Sequence, residues 1–408
     1  MNPEASALGN PMNDMRPLLL VNLICMAAIY AFVALASPLA HLLNLKAWHI
    51  GMLFGVVGLI WIGLAGAWGQ VADRRGRVTT LRISMIGFTL AYLALAAYAW
   101  WALRQTPHAT PAATLSLAVM LLTRGVMGGF YAGIPVAAMA WVADRTAHTE
   151  RAPAMARLGA AGAIGMVLSP PLAGWVGRHD IALSLAVFAL LPLFALPLLS
   201  RLKESRQPAA ATQMARMNPG DRRIRRAWLA TFAMYGSVII ANICLGFFLI
   251  DRLRVEARDS AAWVGAALGC AGLALIVAQT LVSRRPDVTP ARWLRWGTLL
   301  GAAGFGSVLL FAHPLSICLG YFIAGFGLGM AFPATSALAA NAVEAHEQGA
   351  CAGAISVAQG LSMVVAPVIG TLVYQWREWA PFALIALVLV AVSLGRAPPS
   401  LPAHTDRR

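Results

Sequence analysis

The sequence predicts an all-α polytopic membrane protein with 12 transmembrane helices in two pseudo-symmetric six-helix halves. Three observations predict it. The 408 residues are 59% hydrophobic and only 12% charged, with mean hydropathy +0.70, about half the charge of an average soluble domain. The apolar residues come in long runs, not in the alternation over about ten residues that a membrane β-barrel needs. A single polar segment of any length, 201–226, divides those runs six and six.

The runs follow one another near 17–39, 50–70, 80–101, 113–143, 154–176 and 180–200, then near 227–250, 260–283, 291–312, 314–340, 350–374 and 380–396. Each is long enough to cross about 30 Å of hydrocarbon as a helix. The expected organisation is a tail over 1–14, a bundle over 15–200, a linker over 201–226, a second bundle over 227–396 and a tail over 397–408. Glu4 and Asp14 stand against a single Arg16 ahead of the first run, the wrong balance for a cleaved signal. The linker holds eight basic residues, two acids and the pair Pro219-Gly220, the composition of a solvated connection.

The formal net charge of +15 raises the question of nucleic acid, and the placement of the charges answers it. With a cytoplasmic N-terminus, 23 of the 31 basic residues fall on the cytoplasmic side and seven outside, with Arg124 inside a run. This is the positive-inside bias of an even number of spans with both termini cytoplasmic, and no nucleic-acid partner is needed to explain it. Cys25, Cys244, Cys270, Cys318 and Cys351 all lie inside spans with no CxxC spacing or clustered histidine, so they read as reduced, structural thiols and give no metal site.

The halves resemble each other. A shift of 197 places Pro170 on Pro367, Glu150 on Glu347, Asp144 on Asn341, Gly128 on Gly325 and Arg124 on Tyr321. A shift of 213 places Leu81-Arg82 on Leu294-Arg295, and the longer loop around 104–113 absorbs the difference.

After the second span comes Gly69-Gln70-Val71-Ala72-Asp73-Arg74-Arg75-Gly76-Arg77-Val78. Gly69 permits close helix approach and Gly76 a tight turn, while Asp73 is a fixed charge able to pair with arginine or face a helix N-terminus. The run resembles the G-x-L-A-D-R-x-G-R-K signature of the major facilitator superfamily, departing at Val71 and Val78. The resemblance implies the major facilitator fold and a cytoplasmic latch formed by Gly69, Asp73, Arg74, Gly76 and Arg77. It implies that Gly69 lets the second span pack on the eleventh, that Asp73 meets the start of the eleventh, and that Arg77 pairs with Asp144 at the inner end of the fourth. The matching loop of the second half, Gln279 to Arg295, lacks the pattern, so the latch is expected on one side only.

Arg124 lies in the fourth span, with Gly128, Tyr131 and Pro135 on the same face. An arginine at mid-membrane costs roughly 2.5–3.5 kcal/mol on insertion scales, so it needs a partner or a wet cavity; the plainer alternative is an arginine near the end of the span that snorkels to the interface. Arg124-x-x-x-Gly128 resembles the fourth-helix motif of the 12-helix drug:proton antiporters, which implies a part in coupling. In the fifth span, Gly162, Gly165, Ser169, Pro170 and Gly174 follow the spacing of close helix packing. They also resemble the exporters' antiporter motif G-x-x-x-G-P-x-x-G-G, with Ser169 and Ala173 replacing two of its glycines.

None of the 16 acids and none of the eight histidines falls at mid-membrane. The one buried charge is therefore positive, and the cavity is expected to favour neutral, amphipathic or anionic compounds over quaternary ammonium ones. Helical phase puts Asn22, Met26 and Tyr30 on one face of the first span, and Tyr235 and Asn242 on one of the seventh. Tyr321, Gly325, Leu328 and Phe332 share a face of the tenth. The resemblance makes these faces the substrate path; the plainer alternative is helix–helix hydrogen bonding, at about 0.6 kcal/mol each. No enzyme signature is found: His346-Glu347-Gln348-Gly349 lacks the second histidine of HExxH, and GxSxG and nucleotide-binding loops are absent. The chain is thus expected to be no enzyme and to need no cofactor. The resemblance implies a monomer in the bacterial inner membrane that exports a small organic substrate in exchange for protons, entering by Asp73, Asp144 or water around Arg124. A dedicated metabolite exporter, of a siderophore for example, and an importer of organic acids or sugars are the rival readings.

Overall fold

A computed structural model describes residues 15–105, 111–146, 150–205, 218, 221–310, 313–344 and 347–395. The expected terminal tails 1–14 and 397–408 and most of the linker lie outside the described residues. The described residues form an all-helical protein. Among the described residues, ten helical spans are long and apolar enough to cross a membrane: Arg16–Leu42, Ala47–Arg75, Arg77–Leu103, Ala113–Arg145, Pro153–His179, Ile181–Arg201, Arg225–Asp251, Ala257–Ser283, Pro314–Ala340 and Gln348–Trp376. Two shorter helices, Pro290–Ser307 and Ala380–Leu394, stand where the ninth and twelfth spans are expected.

Local sequence explains the irregularities. The fourth span is two helices, Ala113–Tyr131 and Gly133–Arg145, joined at Ala132. Pro135 supplies no N–H to the Tyr131 carbonyl four residues earlier, so the helical ladder loosens at that point. The sixth span ends in a 3-10 turn, Leu196–Arg201, shortly after Pro192. Gly76, at φ 98°, makes the corner between the second and third spans in a backbone conformation that side chains rarely adopt.

The chain forms two compact units, one of residues 1–210 and 245–269, the other of 211–244 and 270–408. In the first unit the first span packs along the fifth and sixth, and the third packs on the fourth and sixth. Gly165 sits so close to the first span that a Cβ there would meet the Leu23 carbonyl carbon at 3.1 Å and the Ala27 nitrogen at 3.0 Å. In the second unit the ninth span packs along the tenth and twelfth, and small residues again allow the contact. A Cβ on Gly304 would lie 2.5 Å from the Gly320 carbonyl oxygen.

Candidate functional site

The third span begins at Arg77, whose backbone turns at Gly76 directly out of the second. That corner drops the Arg77 side chain, 4% exposed, between two acids. Its Nη1 pairs with Asp73 one turn earlier, and its Nε donates to Asp144 Oδ2 at 3.1 Å. Asp144 closes the fourth span and is 12% exposed, while Asp73 is 33% exposed. The expected Arg77–Asp144 pair is therefore present, and Asp73 shares the same guanidinium. Arg74 is exposed. A Cβ on Gly69 would meet no heavy atom within 4 Å among the described residues.

Sequence reasoning missed a third arm of this cluster. Glu204, at the start of the linker, receives the Val78 N–H at 2.8 Å, the Thr79 N–H at 3.1 Å and the Thr79 hydroxyl at 2.8 Å. These are the first-turn donors that a local capping side chain would satisfy, and Gly76 has none to offer. Ser205 donates from its hydroxyl to Asp144, and its carbonyl accepts the Arg77 N–H at 3.1 Å. Trp141 Nε1–H adds a bond to the Lys203 carbonyl at 3.0 Å. Burial disfavours the Glu204 charge, but these hydrogen bonds outweigh it and hold the carboxyl below its ordinary pKa. A side chain at Gly76 would strike the Glu204 carboxylate, a second reason for glycine there. The run Lys203-Glu204-Ser205 was visible in the sequence only as polar linker.

In the second unit, the loop from Gln279 to Arg295 carries no ion pair among the described residues, but a cluster forms from other positions. Arg223, ahead of the seventh span, donates to both Glu347 oxygens at 2.7 and 2.9 Å and to Asp221 Oδ2 at 3.0 Å. The Asp221 carboxyl is held below its usual range chiefly by the side-chain bond from Arg223.

Arg124 is 3% exposed in the first helix of the fourth span. Its guanidinium carbon lies 4.1 Å from the centroid of Phe32 and 5.7 Å from that of Phe54, within cation–π range of both. No carboxylate pairs with it among the described residues, its Nε has no partner there, and Nη1 reaches only Met127 Sδ at 3.9 Å. The buried Tyr92 hydroxyl nearby is also without a partner among the described residues. Gly128, one turn on, packs against Val57, where a Cβ would lie 2.8 Å from Cγ1. Tyr131 is buried, donates to Met26 Sδ at 3.0 Å, and packs its ring 5.5 Å from both Trp61 and Phe88.

The fifth-span residues divide their contacts along the helix. Gly162 faces Asn22 and Met26, and Gly165 the first-span backbone. Farther along, Pro170 and Gly174 meet the backbone at the start of the eighth span, at Gly265 and Ala261. Ser169 is buried and its hydroxyl has no partner among the described residues. Past this contact, Arg178 pairs with Asp259 at 2.6 Å.

The candidate path residues separate into two kinds. Asn22 donates to the Leu158 carbonyl at 2.8 Å, and Tyr321 donates to the Ala241 carbonyl at 2.8 Å with its ring edge-on to Phe305. Both are buried, so they hold helices together. Tyr30 and Asn242 are half-buried. Tyr235 and Phe332, with ring centroids 4.8 Å apart, line a cavity of about 450 Å³ in the second unit, together with Gln279, Ser283 and Gln359.

The class G tetracycline resistance protein of Vibrio anguillarum is 27% identical over 376 residues, covering 86% of this chain and 88% of its own. The class C protein of Escherichia coli is 26% identical over 375 residues, covering 84% and 86%. Among solved structures, a D-xylose–proton symporter superposes with a TM-score of 0.71 at 15% identity, over 94% of this chain and 97% of that one. A bacterial homologue of the human lysosomal transporter Spinster, inward-facing and unoccupied, gives 0.69 at 14% identity, over 94% of each. These two structures establish a shared fold. The Major Facilitator Superfamily model matches residues 18–286 and 227–407, and the chain belongs to that family of membrane transporters.

Proposed function

We propose that this multi-pass transporter exports a small neutral or anionic organic molecule across the cytoplasmic membrane in exchange for protons, by alternating access. The observation that carries the reading is Arg124, a mid-span guanidinium sheathed by Phe32 and Phe54 and paired with no carboxylate among the described residues. A permanent positive charge in a wall of low dielectric repels cations and attracts carboxylates or polarised oxygens. The fifth-span motif and the likeness to tetracycline resistance proteins support export. Asp73 and Asp144, sharing Arg77, are groups whose protonation would loosen the cluster, and Tyr235 and Phe332 are proposed substrate contacts. The excess of arginine at the Arg77 end supports a cytoplasmic placement of that end and of both termini.

Everted membrane vesicles test this directly. Under an imposed pH gradient, wild-type vesicles are expected to accumulate neutral or anionic probes and to leave quaternary ammonium dyes outside. Strong, selective uptake of the cationic dyes overturns the reading, and accumulation in the reverse direction identifies an importer. The lone arginine also favours a second reading, a dedicated exporter of an anionic metabolite. Comparing small molecules in the medium and in cells with and without the protein separates the two.

A further inference from the structure

About 40 Å from Arg77, the length of the 27-residue third helix, the first unit carries a different kind of site. The ends of the first, third and fifth spans and the starts of the sixth and eighth enclose a cavity of about 180 Å³ lined by Leu42, Trp100, Arg104, His179, Asp180 and Arg258, among others. Its charges do not balance. Asp180 is the one carboxylate among the described residues of the lining; it pairs with Arg104 at 3.6 Å and accepts the Leu183 N–H at 3.0 Å. The neighbouring Asp259 is held by Arg178 at 2.6 Å. Arg258 therefore has no carboxylate partner among the described residues, and the cavity carries an excess of positive charge.

The surroundings say what kind of anion fits. Arg104 is held over the Trp100 ring at 4.5 Å, and Trp100 is itself 53% exposed. Trp101 and Trp175 are also exposed and lie at the same helix ends. Tryptophans at helix ends mark the level where headgroups meet hydrocarbon, and the planar guanidinium fork of arginine matches phosphate oxygens in pairs. Leu42 and Trp100 supply an apolar flank beside the arginines. We propose that this cavity binds the phosphate of an anionic phospholipid, with Arg104 and Arg258 as its cationic walls and the acyl chains remaining in the bilayer past Trp100. The proposal depends on the chain lying in a membrane and not on what it exports.

Native mass spectrometry of the full chain, released from nanodiscs of mixed phosphatidylethanolamine and phosphatidylglycerol, tests it. Phosphatidylglycerol is expected to be retained in preference to phosphatidylethanolamine. Each arginine contributes roughly fivefold, so Arg104→Gln with Arg258→Gln lowers retention about twenty-fivefold. The pair Arg104→Lys with Arg258→Lys, which keeps the charge, retains most of the lipid, and Arg284→Gln at the opposite helix ends changes nothing. Equal retention of the two lipids by the wild-type protein overturns the proposal, whatever the variants do. So does undiminished retention in the double glutamine variant, and so does displacement of the lipid by inorganic phosphate, which would make this a site for free anions.

Discussion

The Glu204 carboxylate lies 126 residues along the chain from Val78 and accepts its backbone N–H at 2.8 Å. A helix that begins at a glycine corner has no side chain of its own to cap it, and here the start of the linker, just past the sixth span, provides the cap. The same short segment touches Asp144 through Ser205, so the third span, the fourth span and the linker meet around one guanidinium.

Replacing Glu204 should therefore loosen the cluster as well as the helix end. Glu204→Ala is expected to cost about 1 kcal/mol, the usual worth of an N-cap, and to speed amide exchange at Val78 and Thr79. The pH dependence has a definite sign. A carboxyl whose folded pKa is depressed stabilises above its unfolded value of about 4.3 and loses that contribution as pH falls through the lower, folded value. Protection at Val78 and Thr79 should be flat through neutral pH, fall in acid below that value, and lose this acid limb in Glu204→Gln.

Arg77 serves two acids, so its loss is felt twice. Arg77→Ala leaves Asp144, 12% exposed, without its counter-charge and should cost roughly 2–3 kcal/mol. This is below the figure for a fully buried pair because Asp73 is one-third exposed and screened. Adding Asp144→Asn to Arg77→Ala should restore part of the stability, and chemical unfolding of the four proteins of the cycle measures the coupling.

Arg124 should behave in the opposite way. A buried guanidinium without a carboxylate contributes no ion pair to the fold, and exchanging it for an apolar residue relieves its desolvation. Arg124→Leu is expected to unfold at the same or a higher temperature than the wild type while transport in vesicles is lost. A large fall in thermal stability would show instead that the residue is structural.

Two glycines make a matched pair for testing helix approach. Gly165→Ala must displace the first-span backbone and should cost about 1–3 kcal/mol. Gly69→Ala meets open space and should stay within about 0.5 kcal/mol. Thermal unfolding of both variants in one detergent decides it.

Much of this was legible in advance because hydropathy is local. Runs of apolar residues announce spans whatever they pack against, and the Asp73–Arg77 turn reads from a four-residue spacing. Asp144 could be assigned to Arg77 only through a family resemblance, and the structure brings the two together at 3.1 Å. Helical phase alone was a weaker guide. It grouped Tyr321 with Phe332 on one face, yet Tyr321 is spent on the Ala241 carbonyl while Phe332 lines a cavity. A wheel gives the direction in which a side chain leaves its helix, and the neighbour in that direction decides whether it meets backbone or space. The break in the fourth span was implicit in Pro135, since a missing N–H frees a particular carbonyl.

By itself the sequence determined that the chain lies in a membrane, where its helices run, and that a positive charge falls within a span without an acid close by in the chain. These follow from transfer free energies and backbone geometry, which act over a few residues. The tertiary structure decided that Glu204 caps a helix it does not belong to, that Arg223 builds a cluster with Glu347, and that phenyl rings sheathe Arg124. Those outcomes depend on which distant segments arrive at the same place, and hydrogen bonds and ion pairs exist only once they have.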